Sequence, residues 1–139
     1  MVGGCCRNLL GEAEELVKSA AERPDDEPPW GGSWFLMQRG MAELELGDGR
    51  RAVALLGQGP SGLPEPYRRD RAWFGTCLAR AHAIAGEAGA AAETALGVAP
   101  DAVAVNTYAI RELRKVVRLL DRMRAPGARD IEEALSMSA

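Results

Sequence analysis

One histidine and one glutamate of this sequence are candidates for acid–base chemistry, because their separation equals a spacing that recurs along the chain. His82 is the single histidine, and Glu43 lies thirty-nine residues before it. If both project from neighbouring helices at equivalent positions, they could act as acid and base. A lone histidine at a helix crossing is more typical of a core residue. No Ser-His-Asp order, paired carboxylate motif or phosphate loop accompanies the pair, so an enzyme using Glu43 and His82 is the alternative hypothesis.

The same spacing relates two pairs of aromatic residues. Trp34 and Trp73 are thirty-nine residues apart, although the chain contains only three Trp. Other residues keep the offset: Phe35 and Phe74, Gly47-Asp48 and Gly86-Glu87, Ala52 and Ala91. A fixed period of this size is the signature of stacked helical repeats.

Apolar residues recur with helical spacing in the segments that such repeats require. The predicted helices cover residues 12–23, 34–46, 49–58, 71–85, 88–98 and 107–124. Ser33 and Asp70 are candidate N-caps. Gly47, Gly86 and Pro100 are expected to end helices. No segment alternates apolar and polar residues with period two, so we expect an all-α fold without a sheet.

These helices predict one domain over residues 1–124, followed by a tail over 125–139 that forms one short helix or frays. Its units would be a half-repeat (1–24), two hairpins (33–60 and 70–100) and a long capping helix (107–124). Gly11-Glu12 matches the later glycine-acid turns, and the ten residues before it are too few and too rich in glycine to supply a full first helix.

The incomplete first unit has a consequence for assembly. Helix 12–23 would lack its partner, so that Leu16, Val17 and Ala20 would have an uncovered flank. Leaving such a stripe in water forgoes about 25 cal/mol for each Å² of apolar area. We therefore expect a homodimer in which this helix contributes to the interface.

Small residues stand where the two helices of each hairpin would cross, which permits close packing. The elements of this pattern are Gly40 and Ala79, the two glycine-acid turns, Ala52 and Ala91, and the late prolines Pro60 and Pro100. With this pattern of small residues, turns and prolines, the chain resembles tetratricopeptide (TPR) repeats. The resemblance implies stacked hairpins in an α-solenoid. It departs from the repeat motif at Arg39 and Glu43, where that motif prefers large apolar residues.

A longer resemblance covers residues 11 to 121. The strings "PDDEPPW", "LGDGRRAVALL", "GLPEPYRRDRAWF", "LARAHAIAGE" and "IRELRKVVRLL" occur in this order. Together they resemble the C-terminal repeat half of helix-turn-helix regulators from antibiotic-producing bacteria. The resemblance implies a non-enzymatic, regulatory binding module connected with secondary metabolism. The N-terminal DNA-binding domain of those regulators has no counterpart in this sequence.

In TPR-like stacks the first helices of the hairpins line a concave groove. The resemblance therefore assigns to that groove Trp34, Met37, Gln38, Met41 and Glu45 from one hairpin, and Trp73, Thr76, Cys77, Arg80 and Ile84 from the next. Aromatic, thioether and charged groups together suit a peptide, a protein or a small-molecule effector. The alternative is that both Trp side chains only pack between the hairpins.

Composition narrows the remaining classes of function. The chain has 139 residues, 47% of them hydrophobic, and a net charge of -3, which argues against a nucleic-acid partner. Cys5, Cys6 and Cys77 follow neither a disulfide pattern nor a zinc pattern, and we expect no cofactor. The first residues contain no long apolar run, so we expect neither a signal peptide nor a membrane partner, and a cytoplasmic location.

Overall fold

The computed structural model describes residues 2–20, 31–58, 68–105 and 107–137. Over these ranges the chain forms seven α-helices and no strand, which confirms the all-α prediction. The helices are α1 (Val2–Ala20), α2 (Gly31–Glu45), α3 (Gly49–Leu56), α4 (Arg68–Ile84), α5 (Ala88–Val105), α6 (Thr107–Arg122) and α7 (Ala128–Ser136). The predicted end of the first helix at residue 23 and the late proline Pro60 lie outside the described residues.

Six of the helices pair as hairpins in chain order. Helix α2 packs on α3, α4 on α5, and α6 on α7. Neighbouring hairpins meet through α3 and α4, and then through the contacts of α4 and α5 with α6. Helix α1 packs mainly on α2. Each hairpin therefore rests on the one that precedes it in the sequence.

The two glycine-acid turns have the same backbone geometry, as their spacing predicts. Gly47 and Gly86 have φ angles of 83° and 84°, in the left-handed region that favours glycine. The next N–H, from Asp48 or Glu87, donates to a carbonyl five residues back at 2.9 and 2.8 Å. These bonds satisfy the last carbonyls of α2 and α4. Asp48 is also the N-cap of α3, because its Oδ1 atom accepts a hydrogen bond from the backbone N–H of Arg51 at 3.1 Å.

The small residues lie at the helix crossings where the sequence predicts them. A Cβ on Gly40 would come within 2.5 Å of Leu56 Cγ. Ala52, Ala79 and Ala91 are completely buried. Close approach of the two helices in each hairpin therefore depends on these side chains being small.

The buried apolar residues form two clusters. The N-terminal core lies between α2, α3 and α4 and contains Met37, Leu44, Ala52, Leu56, Phe74, Cys77 and Ala81. The C-terminal core lies between α4, α5, α6 and α7 and is rich in alanine, with Leu113, Leu120 and Ile131 among its larger members. The Trp73 indole packs against both clusters, so it helps to join them.

The N-terminal region differs from the prediction. Helix α1 begins at Val2 and passes through Gly11 without a turn, so the expected start near residue 12 and the expected Gly11-Glu12 turn are wrong. A glycine inside a helix costs about 1 kcal/mol relative to alanine, and Gly11 does not have the positive φ that is found at Gly47 and Gly86. The division of the chain into repeat units stays a prediction.

Three other predicted boundaries are also wrong. Ser33 and Asp70 lie inside α2 and α4 rather than capping them, and α5 continues through Pro100. Pro100 removes the helical donor to the Leu96 carbonyl. Both residues are exposed, so water can replace the missing bond.

The C-terminal segment is an integral part of the fold. Of the two predicted outcomes, a short helix or fraying, the described residues show the helix, α7. Its side chains Ile131 and Leu135 are buried in the C-terminal core. Helix α6 is therefore followed by a partner helix rather than being the last layer. Among the described helices, none combines the length and the apolar character needed to cross a membrane.

Candidate functional site

The structure places several of the expected groove residues in the core. Met37, Thr76 and Cys77 are buried, and this corrects their assignment to an open groove. Thr76 donates its hydroxyl to the Trp73 carbonyl at 2.7 Å. Burial, with a contribution from Glu112, raises the pKa of the Cys77 thiol to about 12, so this cysteine is not a nucleophile near neutral pH.

Other expected groove residues are less deeply buried. Gln38 is half-buried, and Met41 and Ile84 pack on the N-terminal core while remaining partly accessible. The Trp34 side chain lies outside the described part of the structure. The prediction that both Trp side chains share one groove therefore stays a prediction.

An ion-pair chain crosses the first helices of the three hairpins. Arg80 Nη1 lies 3.0 Å from Glu112 Oε2 and 3.5 Å from Glu45 Oε1. Lys115 Nζ lies 2.5 Å from the other Glu112 oxygen. Glu112 is buried and needs these cations, because an unpaired buried charge is costly. Arg80 is thus a link between α2, α4 and α6, a role that the sequence did not indicate because Glu112 follows no motif.

An aromatic cleft lies between the N-terminal parts of α4 and α6. It has a volume of about 290 Å³ and is lined by Arg69, Asp70, Trp73 and Tyr108. The Trp73 ring is half-buried, whereas Tyr108 is 63% exposed. The cleft therefore combines a fixed indole, an accessible phenol and two opposite charges. Of these four residues, the sequence indicated only Trp73.

Glu43 lies in a different place, at the junction of α1, α2 and α3. The Nε and Nη2 atoms of Arg7 bind its two carboxylate oxygens, and Arg51 Nε lies 3.8 Å from Oε1. The hydrogen bonds from Arg7 are the main cause of a pKa lower than the usual 4.5. Burial opposes this shift, and the positive charges of Arg7 and Arg51 reinforce it. Glu43 is therefore ionised at neutral pH and a poor general acid.

His82 has separate surroundings. Its Nδ1 atom lies 3.6 Å from Glu87 Oε1, and this buried nitrogen has no hydrogen-bond partner within the described chain. The carboxylate of Glu43 is held by arginines. No described contact joins His82 to Glu43, and the alternative hypothesis of a catalytic pair gains no support from the geometry.

The arginines around Glu43 were not identified as a group from the sequence. A signal was present, since Arg39 and Glu43 are charged at positions where the repeat motif prefers apolar residues. Arg39 Nη2 binds Glu14 Oε2 at 2.6 Å, so both exceptions make ion pairs with α1. Within residues 2–20, 31–58, 68–105 and 107–137, no group of three His, Cys, Asp or Glu side chains could hold a metal ion.

Comparisons of the chain with models of known protein families, with curated proteins and with solved structures gave no match. The function is therefore inferred from the aromatic cleft between α4 and α6.

Proposed function

We propose that this chain is a non-enzymatic, TPR-like binding module that holds a segment of a partner protein against α4 and α6. The observation that carries the proposal is the cleft in which Trp73 and Tyr108 stand beside Arg69 and Asp70. Trp, Tyr and Arg are the side chains that most often dominate binding energy at protein interfaces.

The two aromatic rings would have different parts in binding. Packing against both cores holds the Trp73 indole in place, so little conformational entropy is lost when a partner contacts it. Tyr108 offers an exposed ring whose burial would favour association. A segment with one apolar side chain between the rings and a charged group near Arg69 or Asp70 would match the cleft.

Binding is favoured over catalysis by the chemistry of the lining residues. Asp70 is the one carboxylate among the described residues that line the cleft, and these residues include no histidine and no cysteine. Cys77 and Glu43, which could otherwise serve as nucleophile and base, are buried and have shifted pKa values that suit neither role.

The TPR-like part of the proposal is supported by the order of the hairpins, the equivalent glycine turns and the small residues at the crossings. The regulatory role, and its connection with secondary metabolism, rest on the sequence resemblance alone.

Selection from a peptide library tests the proposal. Peptides that bind the wild-type chain should bind the Tyr108→Ala variant at least about tenfold more weakly, the effect expected for one interface hot spot. Met137→Ala, which removes another highly exposed apolar side chain, is the matched control and should bind normally.

Fluorescence then locates the binding site. The chain has three Trp, so a Trp30→Phe/Trp34→Phe variant reports on Trp73 alone. Bound peptide should change its emission. If no peptide is enriched, or if enriched peptides bind Tyr108→Ala and the wild type equally, the proposal is wrong.

A further inference from the structure

We propose that the chain has a second binding site, for a small organic monocarboxylate, in the cavity between α1, α2 and α3. This cavity has a volume of about 240 Å³. Its lining residues are Arg7, Leu10, Arg39, Ala42, Glu43, Arg51 and Leu55. It lies at the opposite end of the hairpin stack from α6 and α7, and the inference does not depend on the proposed peptide cleft.

The charge of the cavity favours an anion. Its lining contains three arginines and one glutamate, which gives a formal charge of +2, or three minus one. Glu14 does not line the cavity, but its carboxylate binds Arg39 at 2.6 Å and reduces the excess to +1. Asp48 does not line the cavity, and its carboxylate caps α3 through the Arg51 N–H. The lining therefore carries more positive than negative charge, which suits a ligand with a single negative charge.

Arg51 is the residue best placed to supply the positive charge. Glu43 already accepts two hydrogen bonds from Arg7, and Arg51 approaches it only to 3.8 Å, beyond hydrogen-bonding distance. The Arg51 side chain is 60% exposed. Its guanidinium can therefore turn toward a ligand and bind a carboxylate through two parallel hydrogen bonds.

The remaining lining defines the other end of the ligand. Leu10, Ala42 and Leu55 provide an apolar wall, which suits a short aliphatic chain or a single ring. The volume lies below the range of about 300–1,000 Å³ that is usual for drug-sized ligands. A dianion such as phosphate would exceed the available positive charge and leave this wall without an apolar partner.

Nuclear magnetic resonance titration of the full chain provides the test. Sodium butyrate and sodium benzoate are the probes, and sodium chloride and sodium phosphate are compared at equal ionic strength. The monocarboxylates should cause saturable shifts in amides of α1 and α3. The shifts should be absent with chloride and non-saturating with phosphate.

Variants on α3 connect the shifts to the cavity. Arg51→Met should weaken carboxylate binding by at least about tenfold, as expected for a lost charge-assisted hydrogen bond. Arg51→Lys keeps the charge without the planar fork and should give an intermediate loss. Arg50→Met changes an exposed neighbour that does not line the cavity and should bind as the wild type does.

Three results would overturn the inference. They are the absence of saturable shifts with either monocarboxylate, equal binding by the Arg51→Met and Arg50→Met variants, and saturation by phosphate at the same concentrations as butyrate. Unchanged melting temperatures would show that the Arg51 variants are folded, so that a loss of binding has its cause in the cavity.

Discussion

Single residues set how closely the helices approach, and Gly49 shows this most clearly. It is the first residue of α3, and it lies against the end of α4. A Cβ at this position would stand 2.6 Å from the Ala85 nitrogen and 2.9 Å from the Ile84 carbonyl carbon. Both are backbone atoms, which cannot move aside as the end of a flexible side chain can.

We therefore predict that Gly49→Ala lowers the free energy of unfolding by about 1–3 kcal/mol, the usual cost of overpacking. Gly97→Ala is the control, since a Cβ on this exposed glycine of α5 meets nothing within 4 Å. That change should raise stability by about 0.5–1 kcal/mol through helix propensity. Urea denaturation measures both. Equal effects from the two changes would contradict the packing explanation.

A second single residue, Glu43, makes the packing of α1 on α2 sensitive to acid. Its pKa is lowered by Arg7 in the folded chain, so unfolding or undocking takes up a proton at pH values between the lowered and the usual pKa. The resulting stabilisation is complete above the usual value of 4.5 and is lost as the pH falls below it through the lowered pKa.

The predicted result is that α1 separates from α2 as the pH falls below 4.5, which amide spectra of α1 would detect. Glu43→Gln should weaken docking at neutral pH and remove most of this acid dependence. Glu132→Gln, at an exposed position on α7, should leave the wild-type profile unchanged. An unaltered profile in Glu43→Gln would assign the acid effect to another group.

At the scale of elements, the helix ends at Gly47 and Gly86 agree with the sequence prediction, and those at Ser33, Asp70 and Pro100 do not. Gly47 and Gly86 end their helices because a positive φ is easy for glycine alone among common residues. Pro100 was expected to act in the same way. Whether Pro100 ends α5 depends on whether water can reach the Leu96 carbonyl. That access is set by the surface of the folded chain and cannot be read from the residues next to Pro100 in the sequence.

Pro100 also provides a prediction for α5. Pro100→Ala should stabilise the chain by about 1–2 kcal/mol, because the gain in helix propensity exceeds the greater entropy of the unfolded chain. Thermal denaturation should show a melting temperature several degrees higher. Pro126→Ala, which changes a proline outside the helices, should give no such gain. A fall in stability with Pro100→Ala would show that the proline has a packing role.

At the scale of the whole molecule, the candidate sites show the limits of the sequence. The period of thirty-nine residues predicted the helical hairpins and the equivalent glycine turns. The period did not predict that Tyr108 lies beside Trp73, or that Arg7 and Arg51 surround Glu43. These contacts join residues from different helical units. The repeat positions of Met37 and Cys77 predict a place on a surface, whereas both side chains are buried.

Helix α1 presents different surfaces on its two sides. Arg7, Leu10 and Glu14 face α2 and α3 through the contacts described above. Leu9 and Leu16 are 59% and 69% exposed, and their separation of seven residues, about two turns, places them on one side of the helix. We predict that the chain forms a homodimer in which this side of α1 contributes to the interface.

Light scattering at micromolar concentration checks the dimer. Leu16→Gln combined with Leu9→Gln should shift the chain toward a monomer, while Met137→Gln, at another exposed apolar position, should not. A wild-type chain that stays monomeric on concentration would contradict the prediction.

The attachment of α1 also has a mechanical consequence. None of its described side chains is fully buried, and its polar links to α2 include the ion pairs of Arg7 with Glu43 and of Glu14 with Arg39. Tension applied at the N-terminal end reaches these links before it reaches either core. Under load, the nineteen residues of α1 would separate from α2 first and extend the N-terminal segment, while the three hairpins stay folded.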